Sequence, residues 1–91
     1  MEIRHDLKSQ RFTLKLNGKE ATLSYNLEDG IMDILLVSVP IELSGKGIAE
    51  KITLHVFSYA KEKGYKITPT CSYVKNKFLK DRTEFNNITF L

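Results

Sequence analysis

Residues 34–49 constrain this chain more than any other stretch. An apolar run, Ile34-Leu35-Leu36-Val37, leads through Val39-Pro40 into Gly45-Lys46-Gly47, and a segment with helically spaced apolar residues leaves it. That order is strand, turn, helix. The N–H groups of a helix's first turn have no acceptor inside the helix, and with the positive end of its dipole they make a seat for anions, phosphate above all. Glycine at 45 and 47 lets the main chain approach such a ligand with no Cβ in the way, and Ser44 stands where an N-cap is expected. The plainer reading is that the two glycines only permit a tight turn from strand to helix.

Spacing separates the phosphate loops that this pattern suggests. A Walker loop needs a glycine five residues before its Gly-Lys pair and Ser or Thr directly after it; Pro40 and Gly47 occupy those places, which excludes it. A dinucleotide fingerprint needs a third glycine at position 50, where the chain has Glu50. What remains resembles the pyrophosphate loop of the GNAT acetyltransferase superfamily: Gln or Arg, two residues, Gly, one residue, then Gly or Ala. Glu42, Gly45 and Gly47 fill that frame. The likeness continues through Val39-Pro40, Tyr59-Ala60-Lys61-Glu62-Lys63-Gly64 and Pro69-Thr70-Cys71-Ser72-Tyr73-Val74, so the chain is similar to the short single-domain GNAT-like group over about its last two-thirds. Three departures stand out. Glu42 replaces Gln or Arg, Ser44 stands where the group usually has Arg, and Leu36-Val37 stands where it often has His-Thr.

The resemblance implies a minimal GNAT fold of the α/β (α+β) class, with three antiparallel strands, a helix, a parallel fourth strand and a second helix. It implies acetyl-CoA, or another acyl-CoA, lying where the parallel strands 31–39 and 65–70 splay. The backbone of Val37, Ser38 and Val39 would then hydrogen-bond the pantetheine arm, and the N–H groups of Gly45, Lys46, Gly47, Ile48 and Ala49 would hold the pyrophosphate. Lys75, with Lys77 and Lys80, would meet the ribose phosphate of coenzyme A, or else solvate one helix face. Cys71, directly after the last strand, would accept the acyl group or protonate the departing sulfur; the other reading is a small buried apolar residue. The implied activity is N-acetyltransferase, moving the acetyl group to an amine whose identity is open and which includes protein or peptide amines. The alternative is a non-catalytic CoA-binding or protein-interaction module, because no general base is evident. Asp33, inside an apolar run, is either that base or a residue of the sheet's polar edge; His55 reads as structural or superficial, and His5 receives no role.

The remaining chain supplies the frame. Phe12, Leu14 and Leu16, then Ala21, Leu23, Tyr25 and Leu27, alternate with polar residues as in strands with one buried face. Asn17-Gly18 and Asp29-Gly30 mark tight hairpin turns. Residues 31–39 read as a central strand covered on both faces. Ile48, Ile52, Val56 and Tyr59 recur at helical spacing up to Gly64, a C-cap glycine, and residues 72–80 read as a second helix begun by Ser72. Residues 82–91 receive no assignment. Ninety-one residues, 42% hydrophobic and 27% charged, suit one domain, 1–91, with a modest core. One cysteine excludes an internal disulfide and a cysteine-based zinc site. A net charge of +3 fits an anionic ligand; nucleic acid ranks below acyl-CoA because Tyr73 and Phe78 fall at core spacing rather than on an exposed stacking face. No membrane span is expected, and with no apolar leader in residues 1–6 the expected location is cytoplasmic.

Overall fold

Two dipeptides set the hairpins. Asn17 and Gly18 have φ of 53° and 74°, and Asp29 and Gly30 have 54° and 77°, the paired positive values of a hairpin turn whose twist matches its strands. The computed structural model describes residues 2–90. In it β1 (Glu2–Asp6), β2 (Arg11–Leu16), β3 (Lys19–Glu28) and β4 (Ile31–Ser38) form an antiparallel meander. After α1 (Ile48–Lys63), β5 (Lys66–Pro69) pairs in parallel with β4, giving one five-stranded sheet in sequential order. The expected architecture is present, with β1 as an additional strand at its edge.

Helix α1 covers one face of this sheet. Ile48, Ile52, Val56 and Ala60 recur every fourth residue and, with Phe57, meet Phe12, Leu14, Leu23, Met32, Ile34 and Ile67 in the core. Thr53 is fully buried but satisfied, its hydroxyl donating to the Ala49 carbonyl at 2.7 Å. Gly64, at φ 78°, closes the helix with its N–H on the Ala60 and Lys61 carbonyls. The opposite sheet face carries Thr13, Thr22, Ser24, Asn26, Asp33 and Thr68, on the outward side of the alternation.

β4 is therefore not covered on both faces, as its apolar run suggests. A bulge explains the difference: Tyr25 pairs with Ile34 and Ser24 with Leu36, so Leu35 has no opposite residue and the alternation of sides resets after it. Leu35 and Leu36 are consequently 44% and 56% exposed, while Val37 turns back towards the core. The second helix is a short segment wound in π fashion, Val74–Phe78, followed by a 3-10 segment, Thr83–Ile88. Phe78 and Phe85 pack on Phe57 with ring centroids 4.9 and 5.0 Å away. The tail then returns to the sheet: Thr89 bridges Ile67, and the Phe90 N–H donates to the Ile67 carbonyl at 2.9 Å, covering the edge of β5. Among the described residues no helix is long and apolar enough to cross a membrane.

Candidate functional site

The site begins where β5 leaves β4. Their pairing ends at Ile34 and Pro69, and the Cys71 N–H makes one last bond to the Ile34 carbonyl at 2.9 Å. Among the described residues, β4 continues to Ser38 with β3 on one side only, so the backbone of residues 35–38 has an unpaired edge facing the gap. The splay that the sequence implies is present.

Beyond β4 the chain makes one 3-10 turn, Ile41–Leu43, pinned by Leu43, which is buried. Ser44 belongs to this turn. Its N–H and hydroxyl both donate to the Ile41 carbonyl, at 3.0 and 2.8 Å, so it does not cap α1 as expected; Gly47 does, in the left-handed region at φ 71° with no side-chain cap. Gly45 has φ 77°. A Cβ at either position would meet nothing within 4 Å, so both glycines border open space. The first bond that belongs to the helix is from the Lys51 N–H to the Gly47 carbonyl at 3.1 Å. Among the described residues, no carbonyl or side-chain oxygen accepts from the N–H groups of Gly45, Lys46, Gly47, Ile48, Ala49 or Glu50. Such a run of free donors at a dipole's positive end is suited to a diphosphate.

These donors border a cleft of about 360 Å³ lined by Val39, Leu43, Ser44, Gly45, Gly47, Ile48, Ala49, Glu50 and Tyr73. The structure thus brings together Val39, Gly45, Gly47, Ile48 and Ala49 from the sequence-derived set, with Lys46 exposed on the same loop and Val37 and Ser38 on the free edge of β4. Lys75 lies elsewhere, on a hollow with Thr68, Pro69, Thr70 and Phe90. Cys71 is 7% exposed, joins the core and does not line the cleft. Glu42 faces outward and pairs with Lys19 at 3.7 Å.

Tyr73 and Glu50 are the residues that sequence reasoning missed. Tyr73 packs against the core, as its place at core spacing in the second helix implies, and because the helical segment starts so soon after β5 it also lines the cleft. Burial raises the Tyr73 pKa above the ordinary phenol value; nearby Glu50 adds to the shift and Arg82 opposes it, so the phenol keeps its proton at neutral pH. None of the imidazoles or the carboxylate weighed as a base lines this cleft. Asp33 accepts a hydrogen bond from the Thr70 hydroxyl on the open sheet face. His55 is exposed, edge-on to Phe12, and His5 lies 2.5 Å from the Tyr25 hydroxyl.

Comparison with known proteins agrees with this geometry. A family model described as GCN5-related N-acetyl-transferase matches residues 11–88. The chain is 31% identical to Protein NATD1 of Gallus gallus over 84 residues, 89% of this chain and 76% of that one, and 30% identical to Protein NATD1 of Homo sapiens, covering 89% and 74%. The solution structure of a GCN5-like protein from Staphylococcus aureus superimposes with a TM-score of 0.76 at 24% identity, covering 98% of this chain and 87% of that one, which shows the fold.

Proposed function

The chain belongs to the GCN5-related N-acetyltransferase family, and from that premise we propose that it binds acetyl-CoA at the β4–β5 opening and transfers the acetyl group to an amine. The observation that carries this reading is the coincidence of two unfilled backbone sites: the free N–H groups of residues 45–50 beside a cleft, and the unpaired edge of β4 next to it. A diphosphate suits the first. An amide-bearing arm suits the second, where Val37, Ser38 and Val39 would bond it as an added strand bonds an edge.

The thioester supplies an activated acyl group, so the protein's share of the chemistry is to orient it and manage protons. The candidates to protonate a departing sulfur are the Tyr73 phenol, on a residue that lines the cleft, and the Cys71 thiol, two residues earlier and outside it. Burial from solvent and the core contacts of Cys71 favour packing, which leaves Tyr73 the stronger candidate. A second reading, binding without turnover, is favoured by the positions of Asp33, His55 and His5 away from the cleft, since an ammonium acceptor must lose a proton before it attacks.

Calorimetry with CoA, run beside a thiol-release assay with acetyl-CoA and a panel of amines, tests both readings. Transfer activity predicts saturable CoA binding and amine-dependent thiol release. That release should fall at least tenfold in Tyr73→Phe, with CoA affinity kept, and stay near wild type per folded molecule in Cys71→Ala. Binding with no release for any amine selects the non-catalytic module, and absence of CoA binding defeats both.

A further inference from the structure

Glu50 sits in the first turn of α1 and lines two hollows at once: the loop cleft, and a second of about 350 Å³ lined by Lys77, Phe78, Asp81, Arg82 and Glu84. A carboxylate there complements the helix dipole, but it also repels any anion that the neighbouring N–H groups attract. Its counter-charge comes from far along the chain. Arg82 Nη2 donates to Glu50 Oε2, while Nη1 lies 3.6 Å from Glu84 Oε2. The guanidinium rests 4.5 Å from the centroid of the Phe78 ring, and that ring packs on Phe57 in the core. Arg82 is therefore anchored, its side chain 23% exposed, against 59% for Glu50. The fixed member of the pair is the cation.

On the premise that the diphosphate of an acyl-CoA occupies the loop cleft, we infer that Arg82 is a positioning residue for that anion: it neutralises Glu50 at the cleft wall. The pair closes an electrostatic gap that the fold itself creates, because the acid that suits the first turn of α1 is the wrong charge for the ligand of that turn. Glu50 and Arg82 act on the Tyr73 phenol in opposite directions, which puts all three in one locality.

Charge neutralisation and a merely structural tether between α1 and the C-terminal segment have different consequences. If the pair only holds the segment in place, Arg82→Gln and Glu50→Gln are equally damaging and the double variant gains nothing. If Arg82 neutralises Glu50, Arg82→Gln weakens binding on the order of tenfold, as one uncovered carboxylate beside a diphosphate implies. Glu50→Gln then binds at least as tightly as wild type, and Arg82→Gln/Glu50→Gln returns to within about twofold of it. Arg82→Lys, which keeps the charge, stays close to wild type and guards against a folding defect in the glutamine variant. The cycle is measured by calorimetry with CoA and, in parallel, with inorganic pyrophosphate. Wild type that binds pyrophosphate but not CoA overturns the acyl-CoA reading, while the pyrophosphate cycle still decides the role of Arg82. Loss in Arg82→Gln that Glu50→Gln does not rescue, equal affinity in all variants, or wild type that binds neither probe overturns the inference.

Discussion

His5 shows what a single residue can conceal in sequence. Its ring stacks on Phe12 at 3.9 Å, meets Tyr59 edge-on at 4.8 Å and lies 2.5 Å from the Tyr25 hydroxyl. Burial lowers its pKa below the usual imidazole value; His55 lowers it further, and Asp6 opposes. The unfolded chain therefore takes up this proton before the folded one does. The stabilisation is complete above the unfolded value of about 6.5 and is lost as pH falls from there through the lower folded value. Thermal melts should show stability declining from pH 7.5 to 5 with a slope that flattens in His5→Gln, and an unchanged slope would remove His5 as its source. The acidic groups with lowered pKa values, Glu2 and Asp6, titrate below this window. None of this was legible from Glu2-Ile3-Arg4-His5-Asp6, which reads as a charged terminus, because the partners of His5 are brought to it only by strand pairing. Arg82 was hidden in the same way: it looks like one more basic residue near Lys80, and its meaning depends on Glu50, a distant residue in sequence.

Elements were more legible than residues wherever local chemistry decides conformation. Asn17-Gly18 and Asp29-Gly30 fix two hairpins by needing positive φ, and the spacing of Ile48, Ile52 and Val56 fixes α1. β4 is the exception, because its apolar run reads as burial on both faces whereas the bulge at Leu35 turns Leu36 outward. The tail was unreadable since it contributes a bridge at Thr89 rather than a full element. The two ends of α1 allow a controlled comparison. Gly47 and Gly64 have nearly the same φ, 71° and 78°, and neither lacks room for a Cβ. Gly64→Ala should cost about 1–2 kcal/mol of stability, read as a lower melting temperature, with the CoA affinity of the folded protein unchanged. Gly47→Val carries at least that strain and also puts methyl groups where the diphosphate would lie, so CoA affinity should fall by more than tenfold. Equal affinities in the two variants would mean that the loop's glycines serve the turn alone.

At the scale of the whole molecule, one sheet with a helix layer on one side places the parting of β4 from β5 next to the first turn of α1. The crossover through α1 that joins this parallel pair brings Val39, just after β4, and Tyr73, shortly after β5, to one cleft with the loop motif. We propose that the backbone groups of residues 45–50 and of β4's free edge jointly receive an acyl-CoA. Amide-resolved NMR of the labelled protein during titration with CoA tests it directly, since every group invoked carries an N–H. Saturable shifts are expected, largest at Gly45, Lys46, Gly47, Ile48 and Ala49 and at Val37, Ser38 and Val39, with Lys66 and the other β5 amides little changed. Shifts confined to the open sheet face, or none at millimolar CoA, would contradict it.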